Sequence, residues 1–139
     1  MKTIIEKTLS PNDIGKTGGH QAGILIPKRK EILNFFPSLD EEAENPRVII
    51  RFEDDLCQTW KFNYIYYNNR LRGGTRNEYR LTGMTAFLRS ACANIGDILV
   101  FEKIEEDFYI HIKKSSAVSC EENGIVSLVL DNSWKIINI

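Results

Sequence analysis

The sequence predicts a mostly β fold, a barrel or sandwich of short strands decorated by two short helices. Three observations carry this reading. Short runs rich in β-branched and aromatic residues recur along the chain, turn or breaker residues end them, and no βαβ alternation points to a parallel α/β sheet. No repeat, low-complexity tract or linker divides the chain, so residues 1–139 read as one domain. A chain of this size removes roughly 68% of its unfolded surface from water, enough for a core without disulfides or a structural metal.

The first strand, 23–26, stops at Pro27. A helix over 28–36 follows, with Ile32, Leu33, Phe35 and Phe36 on its apolar face until Pro37 breaks it. The run 47–52 starts after Pro46 and ends at the acidic turn Glu53, Asp54, Asp55. The clearest strand is 60–66, where Trp60, Phe62, Tyr64 and Tyr66 share one face at period two and Asn68 and Asn69 end the run. A second helix over 85–93, between Gly83 and Gly96, turns Ala86, Phe87, Ala91 and Cys92 inward. Runs at 97–104, 108–113, 125–130 and 134–137, joined by polar turns, predict an antiparallel meander.

Net charge is −1, which by itself argues against binding nucleic acid through bulk charge. The charge is nevertheless unevenly laid out: +4 over residues 1–30, −6 over 31–60, +5 over 61–92 and −4 over the rest. If the fold brings the first and third blocks together, a neutral protein acquires one basic face able to steer toward a polyanion; otherwise the charges are a solvated scatter. Cys57, Cys92 and Cys120 are an odd number with no paired spacing, and read as reduced, partly buried thiols of a cytoplasmic protein. No signal-peptide pattern opens the chain and no run of 18 apolar residues crosses it, so neither export by that route nor membrane spanning is expected.

Several chemistries find no support. Residues 10–17 resemble a phosphate-binding P-loop, but Ser10 stands where its first glycine belongs, and Gly18, Gly19 and Gly23 follow where a helix should open. No lysine is preceded two residues earlier by Asp or Glu, the pair common in metal-dependent nucleases. The acidic stretches 40–44, 53–55 and 105–107 read as solvated turns and helix ends. His20 and His111 have no Cys or His at zinc-ligand spacing, and His111 falls on the outer face of its strand. No serine sits in a nucleophile elbow.

Two segments do carry recognition chemistry. In the first, Lys16, Thr17, His20 and Gln21 sit on a glycine-permissive backbone whose amides could approach a phosphate; a flexible turn with an incidental histidine is the alternative. The second holds Arg70, Arg72, Arg76 and Arg80 with no lysine among them. A guanidinium forks onto guanine O6 and N7 or onto phosphate, where an ammonium is only a point charge. If 75–81 is extended, Arg76, Glu78 and Arg80 face one way and Asn77 and Tyr79 the other. That face can read G·C pairs, arginine on guanine and glutamate on the cytosine amino group; a weak surface salt-bridge ladder is the competing reading.

Residues 9–12 and 17–27, with 65–70 and 75–80, resemble the N-terminal effector domain of EcoRII-like type II restriction endonucleases, two separated motifs in the same order. Residues 95–101 followed by 108–112 resemble the DNA-binding pseudobarrel of plant transcription factors, which shares that fold. The resemblance covers residues 8–115 and implies a seven-stranded open pseudobarrel with two short helices, whose two arms grip the DNA major groove. It places Lys16, Thr17, His20 and Gln21 on the first arm, and Arg70, Arg72, Arg76, Asn77, Glu78, Tyr79 and Arg80 on the second. Of these, His20, Arg76, Glu78 and Arg80 would touch bases or backbone. It implies a CCWGG-like double-stranded target, no catalytic residue, metal or cofactor in this domain, and magnesium only in a separate catalytic nuclease domain of a parent protein. Leu25, Gly74 and Tyr79 depart from the family pattern, and fewer arm charges imply fewer phosphate contacts. Two rival readings are a stand-alone metal-dependent nuclease and a protein-interaction domain docking its arginine-rich loop on an acidic partner.

Overall fold

The computed structural model describes residues 2–14, 23–69, 73–114, 127–129 and 134–137. In chain order these form β1 (Lys2–Thr8), β2 (Ile24–Ile26), α1 (Lys30–Leu33), β3 (Arg47–Glu53), β4 (Thr59–Tyr67), β5 (Glu78–Thr82), α2 (Thr85–Ser90), β6 (Ile98–Ile104), β7 (Asp107–Lys113), β8 (Ser127–Val129) and β9 (Trp134–Ile137). The strands make one open sheet in the order β2-β5-β4-β3-β7-β6-β1-β9-β8. Every pairing is antiparallel except β3–β7, a parallel contact of two residue pairs, Phe52 with Phe108 and Glu53 with Tyr109. The mostly β open sheet with two helices is as expected; the described residues supply nine strands where the resemblance implied seven.

The sheet curls around aromatic rings. Period-two alternation on β4 buries Phe62, Tyr64 and Tyr66, and β3 and β6 add Phe52 and Phe101. The turn after α1 buries Phe35 and Phe36. Phe36 stacks on Tyr64 at 4.7 Å, while Phe35 meets Phe101 and Phe108 edge-on. These rings join strands from both sides of the narrow β3–β7 contact, each pair adding about 1 kcal/mol beyond area burial. Helix α2 inserts Phe87 against Trp60 and Phe62.

Four expectations are corrected. The meander is split, because β1 lies between β6 and β9. This strand shows no clean alternation because two successive residues, buried on opposite faces, are charged: Glu6 is buried against Lys113 at 3.0 Å and Lys7 against Asp13 at 2.7 Å. Both helices are shorter than read, ending at Leu33 and Ser90. On α2 the inward pair is Phe87 and Leu88, while Ala86 and Cys92 face outward. Cys57 and Cys92 are exposed free thiols rather than partly buried ones, at turn positions with φ of 64° and 54°; Cys120 lies outside the described residues.

Candidate nucleic-acid interface

The glycine-rich and the arginine-rich segments meet through a three-pair strand contact. β2 follows the first segment, β5 carries the second, and they pair antiparallel with Ile24 opposite Leu81, Leu25 opposite Arg80 and Ile26 opposite Tyr79. The fold thus joins parts of the two basic blocks.

The first arm leaves the sheet after β1. Leu9 is anchored by Asp97 and Gly96 through main-chain bonds of 2.8 and 2.9 Å, and Asp13 Oδ2 accepts from Lys7 Nζ and from the Ser10 amide. The pair is buried at both ends and hydrogen-bonded, which offsets the desolvation of its charges. The chain returns at Gly23, where φ is +87° and a Cβ would stand 2.3 Å from the Leu81 carbonyl oxygen. Only glycine fits so close to β5. Lys16, Thr17, His20 and Gln21 lie between these anchors, outside the described residues, as do Arg70 and Arg72.

The second arm starts from Asn69. Its carbonyl accepts from the Gly74 amide at 2.7 Å, and its Oδ1 accepts from the Arg76 amide at 2.8 Å. A Cβ on Gly74 would meet the Asn69 side chain at 2.7 Å, so the absence of a side chain there lets the turn close tightly. Beyond it the alternation is as read. Glu78 and Arg80 face outward with Arg76 before them, whereas Tyr79 and Leu81 point into the core. Arg76 Nη2 donates to Glu78 Oε2 at 2.8 Å and Arg80 Nε to the same oxygen at 2.5 Å. Burial pushes the Glu78 carboxyl up, but the hydrogen bonds and charges of Arg80 and Arg76 outweigh it and hold the group below its ordinary value. The ladder therefore forms in the free protein. It also presents two guanidinium groups side by side, with 40% and 18% of their side-chain surface exposed.

Arg80 additionally donates Nη1 to the Gly23 carbonyl at 3.1 Å, tying the second arm to the root of the first. Leu25, 46% exposed, lies directly across from it. Asn77 accepts from the Tyr66 hydroxyl at 2.7 Å.

Tyr79 is only 7% exposed. Its ring stacks on Tyr66 at 4.2 Å and its hydroxyl donates to Glu41 Oε2 at 3.0 Å, and burial followed by that carboxylate pushes its pKa up. Its ring supports the arm from behind and is not on the outer face. Three groups around the arm escaped sequence reasoning: Tyr67, whose ring lies under the Arg76 guanidinium at 3.8 Å, Asn69, and the acidic turn at Glu41. Their signal was an aromatic one residue beyond the core-facing stripe and an asparagine pair, which also reads as a plain strand end.

A concavity of about 570 Å³ opens at the β3–β7 contact, lined among others by Ile49, Arg51, Glu53, Glu106 and Phe108, with no arm residue. Among the described residues no three His, Cys, Asp or Glu side chains gather to hold a metal, and no helix is long and apolar enough to cross a membrane.

Comparison with known proteins adds the following. The family model described as restriction endonuclease EcoRII, N-terminal, matches residues 2–119. The type II restriction enzyme EcoRII of Escherichia coli is 43% identical over 79 residues, covering 55% of this chain and 19% of that enzyme. The AP2/ERF and B3 domain-containing transcription repressor TEM1 of Arabidopsis thaliana is 29% identical over 126 residues, covering 84% of this chain and 32% of that protein. The chain thus spans a third or less of these two relatives. In three dimensions the fold is similar to that in the Arabidopsis FUS3–DNA complex, with TM-score 0.60 and 23% identity over 78% of this chain and 94% of that one. The LEC2–DNA complex of Arabidopsis thaliana is similar at TM-score 0.58 and 23% identity, covering 83% and 96%.

Proposed function

The chain belongs to the family of restriction endonuclease EcoRII N-terminal domains, and on that premise we propose that it binds double-stranded DNA sequence-specifically through two arms in the major groove. The reading rests on one observation above others: β2–β5 pairing sets the roots of both arms side by side, with Arg76, Glu78 and Arg80 on the exposed face. The FUS3 and LEC2 structures of similar fold are DNA complexes, which agrees with the assignment.

The mechanism divides positioning from reading. Lys16, Arg70 and Arg72, with main-chain amides of the glycine-rich first arm, clamp phosphates; Thr17, His20 and Gln21 extend that arm's contacts. Arg76 and Arg80 fork onto guanines and Glu78 accepts from a cytosine amino group, each good pair discriminating by about 1–3 kcal/mol. Asn77 orients the start of the reading strand through Tyr66. The exposed Leu25 beside Arg80 suits a thymine methyl, which fits a CCWGG-like site with its central A·T pair.

We infer further that this is the effector or targeting module of a type II restriction endonuclease. It would need no cofactor and cut nothing itself. Cleavage, and the magnesium it requires, would belong to a catalytic nuclease domain of the parent protein, working in the cytoplasm where its DNA is.

A gel-shift series with a CCWGG duplex and a scrambled duplex tests the assignment. The wild type should prefer the CCWGG duplex, and Arg76→Ala or Arg80→Ala should abolish the preference while the protein stays folded. Unchanged specific affinity in both variants would remove the arm assignment. Divalent-dependent plasmid cleavage by the chain alone would favour the nuclease reading, and absence of any duplex binding the protein-docking one.

A further inference from the structure

We propose that Tyr67 is a positioning residue that sets sequence specificity, by holding the Arg76 guanidinium in the plane from which it reads a guanine edge. The proposal rests on the DNA-reading assignment above.

Arg76 precedes β5 and so lies outside the ladder of strand hydrogen bonds that fixes Arg80. A long side chain in such a place is free to rotate, and a fork that must meet O6 and N7 together cannot be. Three contacts hold it. Its amide is bonded to Asn69 Oδ1 at 2.8 Å, one edge of its guanidinium to Glu78 Oε2 at 2.8 Å, and its face rests on the Tyr67 ring at 3.8 Å from the centroid. The carboxylate restrains rotation within the guanidinium plane, and the ring restrains its tilt. Register makes the two act together, since Tyr67 is the cross-strand partner of Glu78.

The placement of Tyr67 agrees. The core-facing rings of β4 are at Phe62, Tyr64 and Tyr66, so Tyr67 falls on the opposite face and is only partly buried. The core does not require an aromatic there, and the guanidinium does. Among the described residues no such ring lies on Arg80, which is held by Glu78 and the Gly23 carbonyl instead.

The test uses the full chain as wild type, Tyr67→Ala, Tyr67→Leu and Tyr67→Phe, titrated by fluorescence anisotropy against a CCAGG duplex and a scrambled duplex at several salt concentrations. Loss of the ring face should lower the ratio of the two affinities by about two- to tenfold in the Ala and Leu variants. Scrambled-duplex affinity and salt slope should stay unchanged, and the Phe variant, which keeps the face, should behave as wild type. Retention of the ratio by Ala and Leu would overturn the positioning role and leave the DNA assignment standing. Equal weakening on both duplexes, or loss of the ratio in the Phe variant, would also overturn it, the first marking a phosphate or scaffold contact and the second a role for the hydroxyl. A wild type indifferent to duplex sequence would overturn the DNA assignment and the positioning role with it.

Discussion

Glu78 serves two arginines through a single oxygen, and this makes the arm sensitive to acid. Its folded-state pKa lies below its ordinary value, so the ladder stabilises the fold above the unfolded value and loses that contribution as pH falls through the depressed folded one. Thermal unfolding of wild type and Glu78→Gln across pH should show wild type the more stable at neutral pH, with the gap closing on acidification. A gap independent of pH would mean that the ionised carboxylate adds nothing to stability. At this scale the sequence was partly legible. Residues 76, 78 and 80 alternate, and period two is visible in any extended segment. What alternation cannot show is which neighbour each side chain leans on. Tyr67 and Asn69 act across a turn whose closure depends on Gly74 lacking a side chain.

Asn68 ends a strand in the sequence, and in the structure it fastens one element to another. Fully buried, it donates Nδ2 to the carbonyls of Glu41 and Ala43 and accepts from the Asn45 amide, while Asn45 Oδ1 accepts from the Asn68 amide. The acidic turn that reads as solvated charge is thereby pinned beside the second arm, where Glu41 meets Tyr79. Replacing Asn68 by Ala removes the partner of these part-buried main-chain groups, at a cost of about 1–2 kcal/mol. Urea unfolding should show the loss, and limited proteolysis should cut more readily within 40–45; an unchanged midpoint would remove the pinning role. Elements were legible where one face carries a row of rings, as on β4, and were missed where buried positions are charged, as on β1. A charge can be buried on a strand only if a group outside the strand meets it. Lys113 and Asp13 do so for Glu6 and Lys7, and no local pattern records such partners.

Across the whole molecule, the block charges of +4 and +5 flank the arms while the chain as a whole carries −1. Little general attraction to DNA remains beyond the arms, so non-specific binding should be weak and steeply dependent on a few groups. Arg72→Ala should weaken CCWGG and scrambled duplexes alike and reduce the salt slope by about 1. A selective loss on the CCWGG duplex in the same anisotropy titrations would instead make Arg72 a base reader. Global topology was the least legible level, since β1 enters between strands far along the chain. The two-pair β3–β7 contact divides the sheet into an antiparallel half of β2, β5, β4 and β3 and another of β7, β6, β1, β9 and β8, with aromatic rings as the main cement between them. The second arm belongs wholly to one half. The first arm starts on β1 in the other half and finishes on β2, so it bridges the two. The span between the first arm's two ends, one on each half, is therefore fixed by the angle between half-sheets, and that setting is stored in ring packing.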